Sequence, residues 1–419
     1  MTVKLYENYV QILREELIPA MGCTEPIAIA YAAARAREIL GAVPDHVRLD
    51  VSGNIIKNVK SVVVPNTGGQ RGIAAAAAAG IVAGQADKEL QVLSEVSEAQ
   101  KAELAAYLAR TPIEVFCAQT PHVLDIAVTL RAGAEEAFVR IAGHHTNILE
   151  EKKNGAVIKT GCVSEESLTD RTCLSVEKIV AFAHETDLEA VRPLLEEQIR
   201  CNMAIAEEGL AGNWGANIGS TLLSASDDTP TRMRAYAAAA SDARMSGCEL
   251  PVVVCSGSGN QGITASVPVI VYARDKGFSH EQLLRALCVS NLITIHLKTG
   301  IGRLSAYCGV VSAGCGAAAG IAFLKCGDLD TVAHTIVNTL ATDSGIVCDG
   351  AKPSCAAKIA SAVDAGLLGL RMYLCGNQFY GGDGLVKKGV ENTIRIIGRL
   401  ASVGMKETDK EIISLMMEE

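Results

Sequence analysis

The chain of 419 residues is longer than one hydrophobic core usually serves, so two domains are expected. Its 47 acidic against 38 basic residues give a net charge of −9, and no basic patch dominates, which argues against nucleic acid as a partner. Apolar residues make up 49% and aromatics only 4%, so the interior has to be filled by Ala, Val, Ile, Leu and Gly, whose small side chains let helices approach closely.

The opening residues Met1–Asn8 are charged at Lys4 and Glu7 and lead into no apolar signal core, so the expected compartment is the cytoplasm. Fourteen cysteines without such a signal point to a reducing environment and not to a disulfide scaffold. Residues 4–18 read as a helix. A second helix is expected from Thr24 to Leu40, closed by Gly41 and Pro44. Between Val47 and Val64 lie two strand-like runs, the second at Ser61–Pro65. The alanine run at 74–79 is a strong helix former, and another helix is expected over 93–109. From 113 to 160 apolar and polar residues alternate (Val123, Ile126 and Val128, then Ala137, Val139 and Ile141), which reads as a small antiparallel sheet.

After residue 175 strand signals nearly vanish. Helical periodicity takes over, broken by glycine loops near 209–219, 256–262, 300–302, 345–350 and 381–384. The expected fold class is therefore α+β: a mixed α/β N-terminal domain with a small sheet over residues 1–185, then a nearly all-helical, Gly/Ala-rich domain over 186–419. Leu304–Leu324 carries no charged side chain and meets the threshold of about 18 apolar residues for a membrane span. Ser305, Tyr307, Ser312 and its glycines make it a poor one, and a buried core helix or helix pair is expected instead, with no membrane partner.

Two cysteine pairs share one spacing: Cys308 with Cys315 and Cys348 with Cys355. Thiolates suit iron–sulfur clusters or zinc. Seven residues along a helix separate two side chains by roughly 10 Å, too far to ligate one compact cluster. Cys348 and Cys355 escape this limit, because Gly350 and Pro353 disfavour a continuous helix between them. Cys308–Cys315 runs into Gly316-Ala317-Ala318-Ala319, where a helix is plausible. The spacing thus favours three ligands: Cys348, Cys355, and either Cys308 or Cys315. Buried cysteines acting as small hydrophobes are the plainer alternative.

In Gly22-Cys23-Thr24-Glu25-Pro26, Thr24 suits an N-cap and Glu25 and Pro26 a first helical turn. Cys23 is then placed at the positive end of a helix dipole, where a thiol ionises more easily. It is a candidate ligand, base or nucleophile, or simply an inert neighbour of the cap. The loop Ser256–Gly262 follows the short strand Val252–Val254, and its glycines free backbone N–H groups to form an anion-binding nest. Ser256, Ser258, Gly259, Asn260 and Gln261 would hold a small carboxylate, since the loop fits no nucleotide fingerprint. Arg71, in the loop Thr67–Gly72, could add a carboxylate fork. Of the adjacent His144 and His145, at most one can face a site on an extended chain. Ser241-Asp242-Ala243-Arg244-Met245 is either a site wall or a solvated helix face.

Together with His145-Thr146-Asn147-Ile148, Arg303-Leu304-Ser305-Ala306 and Cys348-Asp349-Gly350-Ala351, these motifs resemble the iron–sulfur L-cysteine desulfidases, grouped with the UPF0597 proteins. The helical half is similar to the α domain of bacterial iron–sulfur L-serine dehydratases. The resemblance implies an oxygen-sensitive 4Fe–4S cluster and no pyridoxal phosphate. It implies ligands at Cys308, Cys348 and Cys355, leaving one iron open. The seven-residue spacing of the last two places the chain on the desulfidase side. The implied reaction is α,β-elimination of L-cysteine to pyruvate, ammonia and sulfide, with Cys23 as base and His145 as its alternative. A serine dehydratase, or a non-catalytic metal- or redox-binding protein, are the competing expectations. The expected partner is a small amino acid, with a homo-oligomer left open.

Overall fold

The computed structural model describes residues 2–21, 24–163, 168–302 and 305–418. The chain opens with α1 (Thr2–Glu16), β1 (Pro19–Met21) and α2 (Thr24–Leu40). Then come β2 (His46–Val51), α3 (Gly53–Val59), α4 (Gly72–Ala83) and α5 (Glu98–Arg110). Five strands follow: β3 (Ile113–Cys117), β4 (Asp125–Ala132), β5 (Glu135–Ala142), β6 (Ile148–Lys153) and β7 (Ala156–Thr160). Helix α2 has the bounds that its cap and closing glycine imply. Helix α5 starts later than expected, because Ser97 and Gln100 form a reciprocal capping box at its head.

The sheet has the order β3-β2-β4-β5-β6-β7. It is larger than the expected antiparallel sheet, since β2 joins it and pairs parallel with β3. The run Ser61–Pro65 does not form a strand. Gly53–Val59 coils into α3, and Val63 makes only a single antiparallel bridge to Arg71. Pro65 lacks the N–H a ladder needs, and the Thr67–Gly69 turn folds the chain straight back into α4. Helix α2 covers one face of the sheet against β4 and β5, and α4 packs on α2. A side chain at Gly80 would overlap the Ala30 backbone, so glycine is what sets the α2–α4 spacing.

The second half is helical: α6 (Val176–Glu185), α7 (Arg192–Ala211), α8 (Ile218–Ala225) and α9 (Thr229–Met245). The short β8 (Pro251–Val253) pairs antiparallel with β1. Next come α10 (Gly259–Lys276), α11 (His280–Ile301), α12 (Gly309–Cys326) and α13 (Leu329–Asp343). The chain ends in α14 (Cys355–Leu374), α15 (Val390–Arg399) and α16 (Lys406–Met417). Helix α12 is the hub, packed by α10, α11, α13 and α14. By length and composition it could cross a membrane, but 78% of it is buried inside the fold. It holds most of the uncharged run, which is thus a core helix.

The fold is α+β with two hydrophobic cores. One gathers Ile27 to Ile148 around the sheet. The other holds the helices from Leu174 onward and also Tyr9, Ile12, Leu13 and Leu17 of the N-terminal segment. At the other end of the chain, α16 packs back on α3 of the sheet-bearing body.

Candidate active site

Between the two bodies lies a cavity of about 140 Å³. Its walls come from the head of α2, from α3, from the loop before α10, from α11, and from the segments that begin α12 and α14. Cys308, Cys348 and Cys355 all line it, as do Ser256, Ser258, Gly259, Asn260 and Gln261.

Local pairing explains how the cysteines meet. Tyr307 and Val347 form an antiparallel bridge, with Cys308 N donating to Ile346 O at 3.0 Å and Cys348 N to Ala306 O at 2.6 Å. Cys308 then sits at the N-cap of α12, and Cys355 is the first residue of α14. The bend between Cys348 and Cys355 is held by Asp349, which is paired with Lys352 at 2.9 Å and with Lys358. Gly350 adopts φ +92°, and a Cβ there would overlap the carbonyl of Lys57 in α3. The loop is therefore seated directly on the sheet-bearing body. Cys315 is fully buried at α12–α13, with its thiol 3.8 Å from Ile336 O, and does not line the cavity.

The thiols are not electrostatically alike. A hydrogen bond to Cys308 pulls the Cys348 thiol down, helped by the charges of Lys57 and Lys358 and the Gly350 N–H against burial. The same hydrogen bond and burial push Cys308 up, so the two thiols are driven in opposite directions. Burial also raises Cys355.

Beyond β8, Ser256 (φ 51°) and Gly257 (φ 74°) turn the chain so that α10 begins at Gly259. Its first-turn N–H groups and dipole give this end of the loop a positive potential. A Cβ at Gly259 would overlap the Arg244 guanidinium, and Arg244 Nη1 donates to Asn260 Oδ1 at 3.2 Å. Arg244 is thus part of the cavity wall, the alternative that the Ser241–Met245 motif left open. Asp242 is fully buried and accepts from Ile218 N at 2.7 Å and Ala216 N at 3.3 Å, so it anchors the head of α8. Lys298 of α11 also lines the cavity, and burial pushes its ammonium down to about 8, with Cys348 and Cys308 opposing.

Other expected residues lie elsewhere or undescribed. Arg71 is an exposed side chain at the head of α4 and does not line the cavity. His145 sits in the turn between β5 and β6 and does not line it either. Cys23 is outside the described residues, as are Arg303 and Leu304; its successors Thr24 and Glu25 do line the cavity. Glu25, Asn58, Arg244 and Lys298 were not singled out from sequence as binding residues. Glu25 and Arg244 stood inside motifs that the sequence marked out but had no binding role assigned to them, while Asn58 and Lys298 left no signal.

Among the described residues, no three Cys, His, Asp or Glu side chains group so as to hold a single metal ion. Three thiols lining one cavity are a soft donor set of the kind that iron–sulfur clusters take. The buried lysines Lys57 and Lys298 supply the positive field such an anionic group needs. The residues present therefore fit a cluster.

Residues 87–414 match the sequence profile described as the serine dehydratase alpha chain. A UPF0597 protein of Desulfitobacterium hafniense is 60% identical over 99% of this chain and 97% of its own length. One from Treponema denticola is 49% identical over 99% and 98%, and one from Lachnoclostridium phytofermentans 49% over 99% and 100%. The chain belongs to the UPF0597 proteins, within the serine dehydratase alpha chain family.

Proposed function

We infer that this protein is an iron–sulfur-dependent lyase that eliminates sulfide from L-cysteine. The observation that carries the reading is the meeting of Cys308, Cys348 and Cys355 with the Ser256–Gln261 cradle in one cavity. Family membership supports a related dehydratase or lyase role.

Cys308, Cys348 and Cys355 would hold a 4Fe–4S cluster. When bound, the cluster supplies a Lewis-acidic iron for the departing sulfur. The chain's own residues do the rest. The N–H groups at the head of α10, with Ser256, Ser258 and Asn260, bind the substrate carboxylate, and Arg244 braces that loop. Cys23 is the proposed base for the Cα proton, next in sequence to the cavity-lining Thr24. His145, the alternative that the sequence offered, lies outside the cavity. As the proton leaves, the C–S bond breaks and sulfide departs with the electron pair. The aminoacrylate left behind tautomerises to an imine, and water converts it to pyruvate and ammonia. No pyridoxal phosphate is needed.

The family description favours a second reading, elimination of water from L-serine. Protein purified without oxygen is assayed for visible iron–sulfur absorption, then for sulfide and pyruvate from L-cysteine and pyruvate from L-serine. Sulfide and pyruvate in equal amounts from L-cysteine, at higher kcat/KM than pyruvate from L-serine, is the expected result. Cys348→Ser should lose both the absorption and the activity. Undiminished sulfide release by Cys348→Ser, or by iron-free protein, would sink the scheme.

A further inference from the structure

A free amino acid presents a carboxylate and an ammonium on the same carbon. The head of α10 accounts for the carboxylate and the three thiols for the leaving-group end. The ammonium also needs a counter-charge, because a cation taken from water into a cavity without one is bound at heavy cost.

One carboxylate lies among the described residues lining the cavity: Glu25, in the first turn of α2. Its two oxygens are oriented separately, Oε2 accepting from Thr24 Oγ1 and Oε1 from Asn58 Nδ2, each at 3.3 Å. These contacts come from α2 and α3, on the sheet-bearing body, whereas the carboxylate cradle belongs to the helical body. A second observation points to the same ligand group. Gln261 is only 6% exposed, lines the cavity, and its Oε1 is a buried acceptor with no hydrogen-bond partner. Gly309 leaves room for that amide, since a Cβ there would lie 2.6 Å from Gln261 Cδ. A buried acceptor without a donor is costly, and a ligand N–H removes the cost.

We propose that Glu25, steadied by Asn58 and joined by Gln261, receives the substrate's α-ammonium. The site then reads the whole zwitterion, with the helical body holding the carboxylate and both bodies meeting at the ammonium. It takes free α-amino acids and rejects N-acylated ones and thiol acids that lack the amine.

The proposal rests on the lyase reading, and the test separates them by measuring binding apart from turnover. Anaerobic holoenzyme, its iron and sulfide content determined, is titrated calorimetrically with L-alanine and with propionate. These differ only in the ammonium, and neither can eliminate. Wild type should bind L-alanine about tenfold or more tighter than propionate. Glu25→Gln should lose that preference while propionate binding holds, and should raise KM for L-cysteine more than it lowers kcat. Glu25→Asp, which keeps the charge, should retain most of the preference even if Glu25→Gln loads its cluster poorly. Equal binding of the two ligands by wild type, or wild-type affinity for L-alanine in Glu25→Gln, overturns the proposal. Anaerobic holoenzyme that releases neither sulfide nor pyruvate from any amino acid overturns the lyase reading instead, whatever the titrations show.

Discussion

Gly350 has no room for a side chain, and its φ of +92° is one that L residues rarely adopt. Gly350→Ala has to push the cysteine loop off α3, and we expect a loss of about 2–4 kcal/mol and little iron in the purified protein. Gly257 is the control. It too has positive φ, +74°, but nothing lies within 4 Å of a Cβ there. Gly257→Ala should cost only about 1 kcal/mol. Thermal melts with iron analysis decide the point; equal effects in the two variants would refute the close-packing argument. Cys315→Ala offers the matching test among the thiols, with cluster absorption kept and stability slightly lowered. At this scale the cysteines and the Ser256–Gln261 loop stood out as cavity-lining groups because type and spacing mark them, though spacing left Cys308 and Cys315 equal and only the resemblance chose between them. Glu25, Asn58 and Lys298 were not, because a single polar residue in a helix looks the same whether a cavity or solvent faces it. Arg71 shows the converse: a fork-forming residue beside glycines reads as a binding group, yet its side chain points to solvent.

Helix α16 acts on the site through one side chain. Lys57 is 1% exposed, and its Nζ lies 2.5 Å from Asp409 Oδ1 of α16. Its charge also helps hold the Cys348 thiol down. Asp409→Asn leaves a buried ammonium without its carboxylate, and should destabilise by about 1–3 kcal/mol and weaken cluster retention. The exposed pair Lys410–Glu407, on the same helix, should be worth under about 0.5 kcal/mol when Lys410 becomes Gln. Urea midpoints, with iron retained after gel filtration, measure both; equal loss in the two variants would count against a tie between α16 and the site. Elements such as α2 and α4 were readable from caps, alanine content and closing glycines. The Ser61–Pro65 run misled because its β-branched residues are shared by strands and by buried turns. The parallel β2–β3 pair could not be foreseen, since partners 66 positions apart, such as Val47 and Ile113, leave no local signal.

The two bodies are laced together by the chain's ends, α1 lying in the helical core and α16 on α3, so neither core is contiguous in sequence. That arrangement suits a cavity whose walls come from both bodies. It also makes the docking of α1 a whole-molecule property with its own pH dependence. Glu15 accepts from Arg171 at 2.5 Å and from Thr169 Oγ1 at 2.8 Å, and Glu16 accepts from Arg171 at 2.9 Å. Burial alone would raise the Glu15 carboxyl, but the hydrogen bonds from Thr169, Arg171 and Gln11 outweigh it and hold it below its ordinary 4.5. A carboxyl whose folded value is depressed adds stability above its unfolded value, and loses it as pH falls through the folded one. Stability should therefore fall between about pH 5 and pH 3, partly through Glu15. Glu15→Gln should be less stable than wild type at pH 6, and the gap should narrow as acid protonates the wild-type carboxylate. Urea unfolding of both proteins across this range reads the difference. A gap that stays constant with pH would show that α1 is held on the helical body by the burial of Tyr9, Ile12 and Leu13, with the Glu15 carboxylate contributing nothing.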